Sequence, residues 1–281
     1  MSTTAPGQVD ARTNDQERRM LEQVRPSDWV NPEPRDRYHL VVVGAGPAGL
    51  VAAAGAAGLG AKVALVEKSR MGGDCLNYGC VPSKGLIRAA RAWTEARRAA
   101  DEFGAPEVQG GDSFETAIER MRSLRADLAR HDSAARYTEL GVDVFLGEGR
   151  FTRRDTLEVG GHVLSFRRAL ISTGARAAAP PIPGLEDAGY LTNETLFSIA
   201  ERPRRLAVIG AGPIGCEMSQ AFARFGTEVI LLDMAGHVLS REDADAADIV
   251  QRSMTRDGVR LELGVKIAGV ERRGGSKVVM A

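Results

Sequence analysis

Two cysteines five positions apart, Cys75 and Cys80, sit in the run Gly72-Gly-Asp-Cys-Leu-Asn-Tyr-Gly-Cys-Val-Pro-Ser-Lys84, between two glycine-rich turns. The turns read Leu40-Val-Val-Val-Gly-Ala-Gly-Pro-Ala-Gly49 and Leu206-Ala-Val-Ile-Gly-Ala-Gly-Pro-Ile-Gly215, 166 residues apart. The repeat continues at the same offset, with Gly60 matching Gly226, Val63 matching Val229, Leu65 matching Leu231 and the acid Glu67 matching Asp233. In each copy the first glycine (Gly44, Gly210) permits a tight strand-to-helix turn. The second (Gly46, Gly212) lets the backbone approach a pyrophosphate, and the third (Gly49, Gly215) lets helix and strand pack closely. The helix that follows offers unpaired N–H groups and partial positive charge to phosphates. Glu67 and Asp233 end their strands where a carboxylate can accept from ribose hydroxyls; an acid there repels a 2′-phosphate, so Asp233 favours NAD over NADP, a preference the nearby Arg241 can soften. Two dinucleotide sites and a dithiol are what a chain needs to pass two electrons from a nicotinamide through a flavin to a disulfide.

A disulfide between Cys75 and Cys80 would close a small loop at the start of a helix. A helix N-terminus lowers a thiol pKa, and the thiolate is the reactive form. Lys84, one helical turn beyond Cys80, adds positive charge on the same face. A zinc site is the alternative, but zinc takes four ligands and no second cysteine pair or histidine cluster accompanies this one, so no metal is expected. A purely structural disulfide is the other alternative. Cys216, in the second fingerprint helix, reads as a small buried residue.

The elements that must position these groups follow from patterning. His39 to Val43 is a valine-rich run suited to a parallel strand buried on both faces. Pro47 to Leu59 is an alanine-rich helix and Ala61 to Val66 a second strand. Ser83 to Ala100 and Phe114 to about Leu140 have helical spacing, the latter as an amphipathic helix over the sheet. Val142 to Leu146 is a strand, Thr156–Val159 and His162–Phe166 form a hairpin around Gly160-Gly161, and Ala169 to Thr173 is a further buried strand. The proline cluster at 180–183 marks a domain crossing. The second fingerprint brings a strand at Leu206–Ile209, a helix at Pro213–Phe225 and a strand at Glu228–Asp233. A helix at Asp243–Asp257 and a strand near Arg260–Leu263 follow. The expected class is α/β, with two Rossmann-like dinucleotide-binding domains. Residues 1–36 form a flexible, mostly unstructured extension from which Trp29 can dock on the body of the protein; 37–188 form the first domain with the dithiol, and 189–281 an incomplete second one. The chain has 37 basic and 37 acidic residues, which gives no reason to expect nucleic acid or an anionic membrane as partner. Without a long apolar run or a signal-like start, a cytoplasmic protein is expected.

Gly72 to Lys84 resembles the G-G-x-C-x-N-x-G-C-x-P-S-K signature of the FAD-dependent pyridine nucleotide–disulfide oxidoreductases, and the resemblance runs over about residues 38 to 281. It implies FAD in the first domain and NAD(P)H in the second. Cys75 is then the thiol that attacks substrate, Cys80 the thiol facing the flavin, and Lys84 lies near the flavin's reactive edge, paired with Glu217 beside the nicotinamide. Gly149 and the segment Ser172-Thr173-Gly174 resemble the stretches that pass over FAD, and Ile267 a backbone contact to the nicotinamide nucleotide. The substrate implied is a small-molecule or protein disulfide or dithiol, or Hg(II), as in dihydrolipoyl dehydrogenases and mercuric reductases. Family members carry a third domain that forms a homodimer and supplies a His–Glu acid–base pair, and His39, His131, His162 and His237 occupy none of that context. Pro213 stands where some relatives have a tyrosine over the nicotinamide. The alternative to a working reductase is a non-catalytic FAD- and NAD-binding fragment; an oxidase or transhydrogenase is a third reading, against which the dithiol argues.

Overall fold

The computed structural model describes residues 15–106 and 113–281. The chain divides into two compact units: Met1–Pro82 with Met121–Arg176, and Ser83–Arg120 with Ala177–Ala281.

In chain order the first part comprises α1 (Asp15–Val24), β1 (Tyr38–Val43), α2 (Pro47–Gly58), β2 (Val63–Glu67), α3 (Gly73–Asn77) and α4 (Cys80–Phe103). Then come α5 (Phe114–Ala129), a 3-10 turn (Arg130–Asp132), α6 (Ala134–Glu139), β3 (Val142–Leu146), β4 (Arg150–Arg153), β5 (Thr156–Val159) and β6 (His162–Ile171). The first unit is built on one sheet of order β3-β2-β1-β6-β5-β4. Strands β3, β2, β1 and the end of β6 run parallel, while β4, β5 and the start of β6 form an antiparallel meander. Alternation along the parallel strands sorts the core. Val42, Val63, Leu65, Val142 and Val144 face one way, against Leu50 and Ala53 of α2 and Met20 and Val24 of α1. Val41, Ala64, Val66 and Phe145 face the other, against Leu157, Leu164 and Phe166, and Tyr38 at the start of β1 joins this second cluster. Each large side chain buried this way stabilises the unit by about 1.5–3 kcal/mol.

Three expectations need correction here. Residues 15–36 are not an unstructured lead-in. The apolar positions Met20 and Val24, four apart, put one face of α1 into the core. Trp29 does dock, donating Nε1–H to Val144 O at 3.3 Å, and Asn31 pairs with both the N–H and the C=O of Leu146, satisfying backbone groups on the edge strand β3. Residues 1–14 lie outside the described ones. Second, the helix expected from Phe114 to Leu140 ends at Ala129, because Ser133 adopts extended backbone and its hydroxyl accepts from Arg136 N–H, capping a new helix. Third, the strand expected at Ala169–Thr173 is the continuation of β6. One ten-residue strand pairs with β5 through its first half and with β1 through its second, and residues 167–171 are exposed rather than buried.

The second unit continues with α7 (Leu185–Ala188), α8 (Asn193–Leu196), β7 (Arg205–Ile209), α9 (Pro213–Arg224), β8 (Glu228–Asp233), α10 (Ala244–Arg256), β9 (Arg260–Leu263), β10 (Gly269–Arg273) and β11 (Ser276–Met280). Strands β7, β8 and β9 form a parallel sheet in that order, repeating β1–α2–β2 as β7–α9–β8. Phe222 and Phe225, at the end of α9, meet Phe114 at 5.8 and 5.3 Å between ring centroids, and Trp93 of α4 stands edge-on to Phe225 at 5.1 Å. The carboxylate of Asp257, 2% exposed, ties this cluster down by accepting from Arg98, Arg224 and Gln220. Strands β10 and β11 form a hairpin not expected from the sequence; Val270 packs with Leu185 and Ala188 of α7 and donates its N–H to Pro183 O.

Candidate functional site

Each glycine of the first turn has a separable task. Gly44 has φ +102°, and a Cβ on it would fall 2.3 Å from Ser172 O. A Cβ on Gly49 would fall 1.8 Å from Gly44 O, so the start of α2 can approach the turn only without a side chain there. At Gly46 the space above the turn is open: a Cβ would meet only Gly73 Cα, at 3.8 Å. The second turn repeats the pattern, with Gly210 at φ +105°, Gly215 against Gly210 O at 1.9 Å, and nothing within 4 Å of a Cβ on Gly212. Both helices start with proline and no side chain caps them. Unpaired N–H groups at the head of α2 and of α9 therefore face open space beside a middle glycine, a cradle that suits a pyrophosphate.

Glu67 and Asp233 shape these cradles. Glu67, 8% exposed, accepts from Ala45 N–H at 2.7 Å and from Ser69 N–H at 2.6 Å. Asp233 accepts from Ala211 N–H at 2.6 Å and Ala235 N–H at 2.7 Å. The expected ribose-binding acids thus also grip the loops, one carboxylate oxygen to each N–H.

The cysteine segment is built onto the first cradle. Gly72 donates to Ala45 O at 2.8 Å, and a Cβ on Gly73 would lie 2.5 Å from Gly46 Cα, so the paired glycines let α3 start against the turn. Asn77 fastens α3 from below, donating to Met71 O and Gly73 O. Cys75 lies in α3 and Cys80 is the first residue of α4; neither is in a disulfide, and Cys80 is exposed while Cys75 is half-buried. The two side chains hydrogen-bond, and burial with this shared proton pushes the Cys75 thiol up to about 11. A depressed thiol at a helix start is therefore not what the fold produces at Cys75: desolvation outweighs the backbone N–H of Cys80, which acts in the opposite direction.

Ser172 joins the same cluster, donating toward Val43 O at 3.1 Å and Gly44 O at 3.0 Å, with Thr173 Cα 3.1 Å from a Cβ on Gly44. Gly174 follows at φ +69°. Gly149 lies against Val66 and Leu157, where a Cβ would be 3.0 Å from Val66 Cγ1; it also lines a cleft of about 650 Å³ with Glu148, Arg150, Glu158 and Gly160. In the second unit Lys84 Nζ reaches both oxygens of Glu217 at 2.8 Å. Cys216 is buried and donates to Ala211 O, as a structural residue would. Ile267 is half-buried in the segment that joins β9 to β10.

The profile of the pyridine nucleotide-disulphide oxidoreductases matches residues 38–281. The chain belongs to this family. It is 33% identical over 251 residues to a mercuric reductase of Bacillus cereus, covering 89% of this chain and 40% of the relative. To a dihydrolipoyl dehydrogenase of Acholeplasma laidlawii it is 31% identical over 238 residues, covering 83% of this chain and 70% of the relative. Among solved structures, the HOCl-induced flavoprotein disulfide reductase RclA of Escherichia coli superimposes with a TM-score of 0.71 at 29% identity, over 86% of this chain and 54% of that one. The chain thus spans about half the length of several of the proteins it matches. A mixed α/β fold with Rossmann-type units is what the family has and what the parallel sheets here display. Among the described residues, no helix is long and apolar enough to cross a membrane.

Two participants lay outside the sequence reading. Ser172 acts as a staple between β6 and the first turn, and this depends on a strand pairing the sequence does not announce. Leu239 was missed altogether. It is the one non-glycine with positive φ among the described residues, at +50°, and it donates to Ala211 O at 2.9 Å as Gly72 does to Ala45 O.

Proposed function

We propose that this protein is a flavoprotein disulfide reductase driven by a reduced nicotinamide nucleotide, with the pair Cys75 and Cys80 as the group that meets substrate. In this reading residues 37–188 hold FAD, its pyrophosphate over Gly44, Gly46 and Gly49 and its adenosine ribose toward Glu67, with Gly149, Thr173 and Gly174 along the cofactor. Residues 189–281 hold the nicotinamide nucleotide over Gly210, Gly212 and Gly215, with Ile267 as a backbone contact. Asp233 at the end of β8 favours NADH, since a second negative charge on the ribose would face a carboxylate. When bound, the two cofactors supply the hydride and electron transfer that restores the dithiol.

The chain's own residues do the exchange. One thiol, assigned to Cys75, gives up its proton and attacks a sulfur of the substrate disulfide; a mixed disulfide forms and the other substrate sulfur leaves as a thiol, taking up a proton. Cys80 then attacks the Cys75 sulfur, closing the Cys75–Cys80 disulfide and releasing the second substrate thiol. Two electrons pass from the dithiol to the substrate in each round. Lys84 and Glu217 provide a charged pair for the nicotinamide end of the relay. The substrate class is a disulfide, a dithiol in the reverse direction, or Hg(II) held between two thiolates.

The observation that carries this reading is the seating of α3 on the first cradle, with Gly73 against Gly46 and two hydrogen-bonded thiols within the next seven residues. The test is to purify the chain with FAD, record its visible spectrum and add NADH without oxygen. A long-wavelength band that disappears in Cys80→Ser while the yellow colour stays is the expected result. A protein that binds flavin but whose dithiol titrates independently of flavin reduction would sink the relay and leave a nucleotide-binding fragment.

A further inference from the structure

Helix α1 lies ahead of the residues the family profile matches, yet it forms the floor of the cysteine segment. Met20 and Val24 share one apolar cluster with Met71 and Leu76, the latter next to Cys75. Val24 O accepts the N–H of Met71 at 3.0 Å, just before the paired glycines. One turn ahead of Met20, Glu17 reaches Arg70 Nη1 at 3.3 Å and Arg125 Nη1 at 3.4 Å. Arg70 in turn lies with its guanidinium carbon 5.8 Å from the centroid of the Tyr78 ring, midway along the loop from Cys75 to Cys80.

We propose that α1 is a positioning element for the redox loop, with Glu17 as the positioning residue that fixes Tyr78, and so the spacing of Cys75 and Cys80, through Arg70 and Arg125. The physics is that of a shared counter-ion. Arg125 is 5% exposed, and a guanidinium that deep is costly unless a carboxylate faces it. Arg70 is a second like charge at the same place, and Glu17 is what lets both stay. Without it the more exposed Arg70 is the one free to move, and moving takes it off the Tyr78 ring. A looser loop lowers the effective concentration of one thiol at the other, which disfavours ring closure to the disulfide.

This inference rests on the redox reading of the pair, and the test separates the two. The full chain is equilibrated in oxidised and reduced dithiothreitol, and the Cys75–Cys80 disulfide is quantified after acid quench. If the wild-type pair never closes, the redox reading itself fails. If it closes, Glu17→Gln is expected to lower the closure constant about tenfold, and Glu17→Asp, which keeps the charge but draws it back, to fall between. Glu17→Asp also serves should Glu17→Gln fail to fold. Leu164→Ala, on the opposite face of the sheet, controls for general destabilisation. Equal closure constants in wild type and both Glu17 variants would overturn the proposal, as would an equal shift in Leu164→Ala.

Discussion

Glu67 and Asp233 make the same pair of hydrogen bonds 166 residues apart: Glu67 to Ala45 and Ser69, Asp233 to Ala211 and Ala235, all between 2.6 and 2.7 Å. The acid at the end of the second strand is thus a clasp that presets the glycine turn, in addition to any ribose it receives. A carboxylate does this with two acceptors, whereas an amide offers one acceptor and turns a donor toward the other N–H. Glu67→Gln is therefore expected to destabilise the first unit by about 1–3 kcal/mol, the cost of a lost charge-assisted hydrogen bond at a buried site. Urea unfolding followed by far-UV circular dichroism measures it, and an unchanged midpoint would show that the clasp is dispensable.

In the second unit the same substitution reads out on specificity. Asp233→Asn removes the negative charge that, in the proposed nucleotide site, would face a 2′-phosphate, while keeping the side chain's size. The ratio of KM for NADPH to KM for NADH is expected to narrow about tenfold, on the order of 1.4 kcal/mol. A ratio that does not move would place the discrimination elsewhere, with Arg241 the next residue to vary.

The internal repeat was legible because it is written in glycines and a carboxylate, residues whose positions the backbone dictates. Gly44 and Gly210 need positive φ, Gly49 and Gly215 tolerate no Cβ, and a reader of the sequence can find all four. What was hidden depends on tertiary partners. Helix α1 is rich in charge, and its two core residues, Met20 and Val24, do not stand out until the cluster they enter is known. Leu239 takes, at φ +50°, the conformation that Gly72 takes at +83° in the first copy; a leucine gives no sign of it. The continuity of β6 across two kinds of pairing was likewise unreadable, because Arg167 and Arg168 interrupt its apolar pattern. The raised Cys75 thiol follows from burial around α3, which motif spacing does not report.

Lys84 and Glu217 allow stability and chemistry to be separated. Their side chains are 60% and 36% exposed, so the ion pair contributes no more than about 1 kcal/mol to folding. Glu217→Gln should leave the thermal midpoint nearly unchanged. If the pair serves the nicotinamide, anaerobic reduction of bound flavin by NADH should slow about tenfold or more, on the order of 1.4 kcal/mol of barrier. Wild-type reduction kinetics in this variant would remove Glu217 from the functional set.

Cys75 gives the protein a pH dependence of definite sign. Its folded thiol holds a proton until about pH 11, whereas a thiol in the unfolded chain titrates near ~8.5. The unfolded state therefore loses its proton first. The thiol's contribution to stability is complete below about pH 8.5 and disappears as pH rises toward 11. Cys216, pushed up to about 11 by its own burial, acts in the same window, so the two can be told apart only by variants. Cys75→Ser should flatten, without abolishing, the fall in urea midpoint between pH 8 and pH 10.5. Over the same interval, alkylation of Cys75 in the folded wild type by iodoacetamide should speed up by about tenfold per pH unit, since only the thiolate reacts. A Cys75 already fully reactive at pH 7.5, located by peptide mass analysis, would mean that burial does not hold its proton. The dithiol would then be a ready nucleophile, with no need of a base to start the exchange.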